Sequence, residues 1–341
     1  MEVRLCVLLV SFLVLGQTLG IKCCVREERE ALLNIKAYLL DGNNNDPLVE
    51  KRLSSWVNDP DSDCCTWNRV RCHVSSGLVS VISLQALNYR PSGVFGPSRG
   101  NYANVGIDFS MFQNFKDLIS LNFSLSGFQS LENSAVLGNL TNLEVLSMKS
   151  NYLVGSLPIQ EICKLKKIRV LDFSDNDFHA SLHKCLANLT SLQALDLSSN
   201  DLSGEIPASA IASLTSLEYF SAMYNNFKGI FPLSSFSNNS RLKVLSLQMY
   251  TNEFQVNTES EALPWVPLFQ LEVLHLANCK VNSPSGIFPT FLLYQHDLRY
   301  LDLSNNDLVG VFPNWLLLNN TNLRSLILHH NKFIRTFDFP T

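Results

Sequence analysis

Between Leu118 and Asn331 one phrase, leucine-x-x-leucine-x-leucine-x-x-asparagine, recurs nine times with substitutions, at intervals of 24 to 29 residues. A period of that length makes each copy one supersecondary unit, too small to bury its own apolar face and completed by its neighbours. In LQALDLSSN, residues 192–200, Leu195 and Leu197 point one way and Ala194, Asp196 and Ser198 the other, the two-residue period of a strand. Stacked copies predict a parallel sheet with one short strand per coil. Asn200 stands at the following turn, and Asn151, Asn176, Asn225, Asn306 and Asn331 hold the same place. An amide there can satisfy backbone groups that stacking would otherwise bury unpaired. The expected fold class is an α/β solenoid, a right-handed coil with the parallel sheet on its concave side and irregular, 3-10 or short helical segments on its convex side. One coil cannot fold alone. About six buried apolar side chains at roughly 1.5–3 kcal/mol each do not exceed the ordering cost of roughly 25 residues at about 1.5 kcal/mol apiece.

A stack of similar coils displays an extended face and no enclosed pocket for reactive groups, which points to a binding protein and away from an enzyme. The net charge of −4 is spread along the chain, so no basic stripe invites nucleic acid. Residues 1–20 read as a secretory signal: Arg4, an apolar run from Leu5 to Leu15, then Thr18-Leu19-Gly20 with small residues near the cut. No later stretch approaches the roughly 20 apolar residues of a membrane helix. Of nine cysteines, Cys6 leaves with the signal, and in an oxidising compartment the other eight are expected chiefly in bridges. Asn-x-Ser/Thr triplets at Asn122, Asn139, Asn188, Asn238 and Asn319 suit a glycoprotein. Asn122, between Leu121 and Phe123, falls on the sheet face; Asn139 and Asn188 precede strands and fall on the convex side. Ser126, Tyr250 and Cys279 replace the turn asparagine in three coils. With nothing basic beside it, Cys279 is expected to be a buried, inert thiol. Neither a cofactor nor a metal is expected, since His275, His329 and His330 lack an accompanying ligand set.

Several coils continue past the asparagine with leucine or phenylalanine, glycine, an apolar residue and proline, as in Leu153, Gly155, Leu157, Pro158 and again in Leu202, Gly204, Ile206, Pro207. This phrase resembles the plant extracellular subtype of leucine-rich repeat, found in receptor kinases, receptor-like proteins and polygalacturonase-inhibiting proteins. Upstream stand CVREEREALLNIK, then LSSW and CCTWNRVRC, and the spacing of Ala31, Leu32, Leu33, Ile35 and Leu39 marks an amphipathic helix that runs on from the first string. Together these resemble the plant leucine-rich-repeat amino-terminal cap, giving a cap at 21–77 and repeats at 78–341. The resemblance implies pairing of Cys24 with Cys64 and of Cys65 with Cys72. Arg69 stands where the family usually has glycine. Cys23 is left to compete with Cys24, to stay free or to link to another chain. Cys163 and Cys185, 22 residues apart on adjacent convex segments, either form a bridge or are two separate buried thiols. Asn88–Lys116, with Pro91, Pro97 and four glycines, is expected to be a loop or irregular coil. The 29-residue interval from Leu242 to Leu271 predicts a lengthened loop.

Outward strand positions are richest in recognition chemistry at Tyr219, Met223 and Tyr224, then Gln248 and Met249, His275, and Tyr300 with Asp302. Asp172, Asp196 and Asp302 share one column, where a structural role outweighs ligand contact. The opening CCVREEREALL and the phrase DFSMFQNFKDLISLNFS are similar to those of receptor-like proteins. That likeness implies the ligand-recognition region of a cell-surface receptor, taking an extracellular peptide, glycan or protein and signalling through a co-receptor kinase. The last coil starts at Leu323 and no second cap follows, so the expectation is a receptor-like protein shortened before its membrane anchor. The alternative is a secreted inhibitor of cell-wall-degrading enzymes, similar to polygalacturonase-inhibiting proteins.

Overall fold

The computed structural model describes residues 24–43, 45–87, 105–259 and 265–334. The signal segment, Cys23, Pro91, Pro97 and the middle of the long loop lie outside the described residues. The chain divides into two compact units, Met1–Tyr152 and Leu153–Thr341. Among the described residues no helix is long and apolar enough to cross a membrane.

The first unit opens with helix α1, Arg26–Gly42, which buries Ala31, Leu32, Ile35 and Leu39 along one face, while Leu33 stays half-buried. The same face buries Glu28, whose carboxylate accepts the Val79 amide at 2.8 Å. Helix α2, Pro47–Arg52, starts where the Asp46 carboxylate accepts the Leu48 amide at 2.8 Å, and Pro47 supplies a preset first turn. Trp56 and Trp67 stack with ring centroids 6.0 Å apart. The Trp56 indole N–H donates to the Asn68 carbonyl and that of Trp67 to the Ser62 hydroxyl. Both cap disulfides form, Cys24–Cys64 and Cys65–Cys72. Arg69 takes the left-handed conformation at φ 73° that glycine adopts without strain. Its guanidinium reaches the Ser83 and Gln85 carbonyls at 3.1 and 2.7 Å, so the side chain contributes bonds that glycine could not.

Strand β1, Val70–Cys72, pairs antiparallel with β2, Val79–Ser83. From β2 the pairing is parallel, to β3, Ser120–Asn122, and on to β4, Val145–Ser147. The expectation of an irregular stretch through Lys116 is corrected for its last residues. Gly106–Asp108 is a short strand paired with Ser130–Glu132, and Phe109–Phe112 is a 3-10 helix. Glycine leaves room in that strand for two neighbouring side chains: a Cβ on Gly106 would fall 2.5 Å from Glu132 Oε1 and 2.6 Å from Ser130 Oγ, so both would have to shift.

The second unit holds seven parallel strands, one per coil: β5 Val170–Asp172, β6 Ala194–Asp196, β7 Tyr219–Ser221, β8 Val244–Ser246, β9 Val273–His275, β10 Tyr300–Asp302 and β11 Ser325–Ile327. From β5 to β10 the central residue is buried and the first residue is half-buried, as the two-residue period requires. The opposite side carries one-turn helices and 3-10 turns, including α3 Ile159–Ile162, α4 Ala208–Ala212 and α5 Trp315–Asn319. This is the leucine-rich-repeat architecture expected from the phrase.

The turn asparagines act across coils. Asn225 Oδ1 accepts the Leu202 amide at 3.0 Å, while its Nδ2 donates to the Leu197 carbonyl at 2.8 Å and the Ala222 carbonyl at 3.2 Å. Asn200 and Asn306 repeat the arrangement, and Asn151 does so in the first unit. Two substitutes keep part of it. Ser126 Oγ donates to the Leu84 carbonyl at 2.6 Å and accepts the Leu87 amide at 3.2 Å. Cys279 Sγ donates to the Leu247 carbonyl at 2.9 Å, and burial pushes its thiol pKa upward. Cys163 and Cys185 form a bridge between α3 and the 3-10 helix Lys184–Asn188.

Candidate functional site

The candidate surface is the outward face of β6–β10. Strand register places Tyr219 in line with Ala194 and Val244, and Tyr300 in line with Val273. The next outward column runs Asp196, Ser221, Ser246, His275 and Asp302. Tyr219, Met223, Tyr224, Gln248, His275 and Tyr300 are half-buried there, as the alternation predicts.

Hydrogen bonds tie the tyrosines to the aspartate column. The Tyr219 hydroxyl donates to Asp196 Oδ2 at 3.0 Å, and burial, reinforced by that carboxylate, pushes its pKa up to about 12. The Tyr300 hydroxyl lies 3.4 Å from Asp302 Oδ2, and burial followed by the same kind of anion raises its pKa as well. His275 packs on Tyr300 with ring centroids 6.0 Å apart. Its Nε2 is 3.5 Å from Asp302 Oδ2, outside hydrogen-bond geometry and with no other partner among the described residues. Burial lowers the His275 pKa more than Asp302 raises it, so the neutral imidazole is the form this face carries near neutral pH.

The place of Asp302 in the recognition set is corrected, and the structural role expected of its column is the one it plays. It is 6% exposed, and its Oδ1 accepts the amide and hydroxyl of Ser304 at 2.9 and 2.7 Å. Asp172 with Ser174 and Asp196 with Ser198 make the same turn. Asn122 substitutes in the first unit, its Oδ1 accepting the Ser124 amide at 2.9 Å. The aspartate-x-serine spacing therefore ties down the turn after β5, β6 and β10.

Met249 is the second correction. At 2% exposed it is core rather than surface. In neighbouring coils the residue before the turn asparagine, or before Cys279 in its place, is left-handed, with φ 54° at Ser199, 56° at Tyr224, 54° at Asn278 and 55° at Asn305. Met249 is not among the positive-φ residues. Its coil has Tyr250 in place of the amide, so the turn lacks the bonds of its own asparagine and is held instead by Asn278 Nδ2 of the next coil, which donates to the Met249 carbonyl at 3.0 Å; Met249 turns inward and Tyr250 outward, 65% exposed. The Tyr250 ring then meets Tyr224 with centroids 5.6 Å apart. Sequence reasoning missed Tyr250, although its departure from the repeat was the available signal.

Among the described residues one trio with ligand-type atoms converges, Cys24, Asp63 and Cys65, but both thiols are consumed in disulfides. The outward face instead offers aromatic rings, amide and imidazole groups beside the half-buried Asp196 and the buried Asp302, a composition suited to recognition.

The family model described as leucine rich repeat N-terminal domain matches residues 25–73, and that described as leucine rich repeat matches 191–211 and 297–318. This is a leucine-rich repeat protein with an amino-terminal cap. Receptor-like protein 14 of Arabidopsis thaliana is 33% identical over an alignment 433 positions long, gaps included, covering 96% of this chain and 42% of that protein. Receptor-like protein 15 of the same plant is 32% identical, covering 96% and 41%. Cuscuta receptor 1 of Solanum lycopersicum is 35% identical over 206 residues, covering 60% and 18%. The chain thus spans about two fifths of the length of the first two relatives. Among solved structures, a plant ice-binding protein aligns with TM-score 0.64 at 21% identity, covering 93% of this chain and 90% of that one. A PEPR1–AtPEP1 crystal structure aligns with TM-score 0.60 at 24% identity, covering 91% and 46%. These two likenesses concern the fold.

Proposed function

We propose that this leucine-rich repeat protein is the extracellular ligand-recognition region of a plant cell-surface receptor-like protein and performs no catalysis. The carrying observation is the aromatic set on the outward face of the second unit, where the pair of half-buried Tyr224 and exposed Tyr250 stands near Tyr219, Tyr300 and His275 in adjacent coils. The secretory leader at 1–20, the cap at 21–77 and the repeats at 78–341 suit that role, as do the names of the relatives. An Arabidopsis receptor kinase HAESA structure that aligns with TM-score 0.55 at 25% identity holds the peptide hormone IDA and the co-receptor SERK1. A peptide, glycan or protein ligand and a co-receptor kinase are accordingly the partners proposed here.

The test compares the secreted chain with its Tyr224→Ser/Tyr250→Ser variant, both immobilised and exposed to extracellular fluid from plant tissue. Retained peptides and glycans are identified by mass spectrometry, synthesised and titrated. Loss of the tyrosine pair is expected to weaken at least one such ligand tenfold or more, about 1.4 kcal/mol or above. Equal retention by both proteins would remove the site from this face. Potent inhibition of a fungal polygalacturonase by the wild-type chain would instead establish the inhibitor reading.

A further inference from the structure

In the second unit, three successive coils place equivalent residues side by side on the surface away from the main sheet. Gln295 Nε2 donates to the Phe269 carbonyl at 3.2 Å, and Asn320 Nδ2 donates to the Gln295 carbonyl at 3.0 Å. This side-chain ladder aligns the residues immediately before its rungs, Leu268, Tyr294 and Asn319. Leu268 is 65% exposed and Tyr294 42%, with Leu293 beside them at 43% and Leu318 at 61%. Single exposed apolar residues are ordinary, but several large ones aligned across adjoining coils form a strip that water disfavours.

The polar member of the row supplies a cover. Asn319 begins the acceptor triplet Asn319-Asn320-Thr321 and is half-exposed at the end of α5. Its Nδ2 lies 3.5 Å from the Leu293 carbonyl, so the amide is directed along the strip toward the preceding coil. From this geometry we infer that Asn319 carries an N-linked oligosaccharide whose first sugars lie across Leu293, Tyr294 and Leu318. In the transfer the amide nitrogen attacks the anomeric carbon of a polyprenyl-pyrophosphate-linked oligosaccharide. A carbon–nitrogen bond forms, the bond from the anomeric carbon to the phosphate oxygen breaks, the amide loses one proton, and polyprenyl pyrophosphate leaves. The amide keeps one N–H, enough to retain the bond to the Leu293 carbonyl. Pyranose rings have apolar C–H faces, which suit the Tyr294 ring and the two leucine side chains.

Asn139, Asn188 and Asn238 recur at the corresponding place before Leu140, Leu189 and Asn239, and all three are exposed, which makes them internal standards. The inference rests on export, which the proposed function assumes. The full chain is secreted from cultured plant cells behind its own first twenty residues, and intact glycopeptides are mapped by mass spectrometry. Asn319 is expected to be occupied in most molecules. Thr321→Ala, which removes the acceptor triplet and keeps Asn319, is expected to speed hydrogen exchange across residues 290–296 several-fold and to raise the fluorescence of an apolar-surface dye. Thr190→Ala, which abolishes the Asn188 triplet, should change neither reading.

An empty Asn319 beside occupied Asn139, Asn188 and Asn238 overturns the inference and leaves the receptor reading standing. Four empty sites overturn both. Full occupancy with unchanged dye and exchange signals in Thr321→Ala overturns the covering role. If that variant does not accumulate, enzymatic removal of the glycans from the folded wild-type protein replaces it, read by exchange at residues 290–296 against the segments around Asn139, Asn188 and Asn238, which are stripped in the same step.

Discussion

Asn225 shows what one side chain contributes to a coil. Its amide accepts from Leu202 and donates to Leu197 and Ala222, all in buried surroundings. Asn225→Ala leaves those backbone groups without their partner, at roughly 1–3 kcal/mol for each that finds no substitute. The expected loss is about 2–4 kcal/mol, read as a lower urea midpoint, and a change below about 0.5 kcal/mol would contradict the ladder. This role was legible because an amide repeated at a turn has one economical use. The role of aspartate was legible in part: the shared column of Asp172, Asp196 and Asp302 was evident, but not the hydrogen bonds that draw Asp302 inward. Met249 was misread because alternation gives a direction only while the backbone keeps one conformation. The left-handed residue that precedes the asparagine in other coils is absent at Met249, and φ is not written in a residue's identity.

The cap helix combines a legible apolar stripe with a charge that the stripe did not reveal. Ala31, Leu32, Ile35 and Leu39 mark the buried face, and Glu28 lies on it because β2 presents the Val79 amide to a carboxylate. Burial raises the Glu28 pKa, with the Val79 hydrogen bond opposing. A carboxyl raised in the fold favours the neutral form, so its contribution is fully present below the ordinary value of 4.5 and is lost as pH rises through the raised folded value. Glu28→Gln keeps an oxygen for Val79 and removes the titration. Between about pH 4 and pH 7, the variant's urea midpoint should fall less, or rise more, than that of the wild type. An identical pH response of the two proteins would show that Glu28 titrates as it does in the unfolded chain.

Coils of one kind, each packed on the next, make stability a sum of local terms plus neighbour terms, and that organisation was readable from the period before any contact was known. The cap was equally plain, since three strings of its sequence converge on one element. Ligand identity was not, because the outward residues that encode it obey no repeat. The same one-dimensional logic governs the Cys163–Cys185 bridge, which ties α3 to the 3-10 helix of the following coil. Closing a loop across 22 residues contributes about 3 kcal/mol. In a repeat stack that loss should appear as local opening rather than a uniform weakening. The Cys163→Ser/Cys185→Ser variant is therefore expected to exchange amide hydrogens roughly 100-fold faster within residues 159–189, about 3 kcal/mol at 1.4 kcal/mol per tenfold, while α1 of the cap keeps its protection. Equal acceleration in α1 and in residues 159–189 would mean that opening is global, and the nearest-neighbour description of this chain would fail.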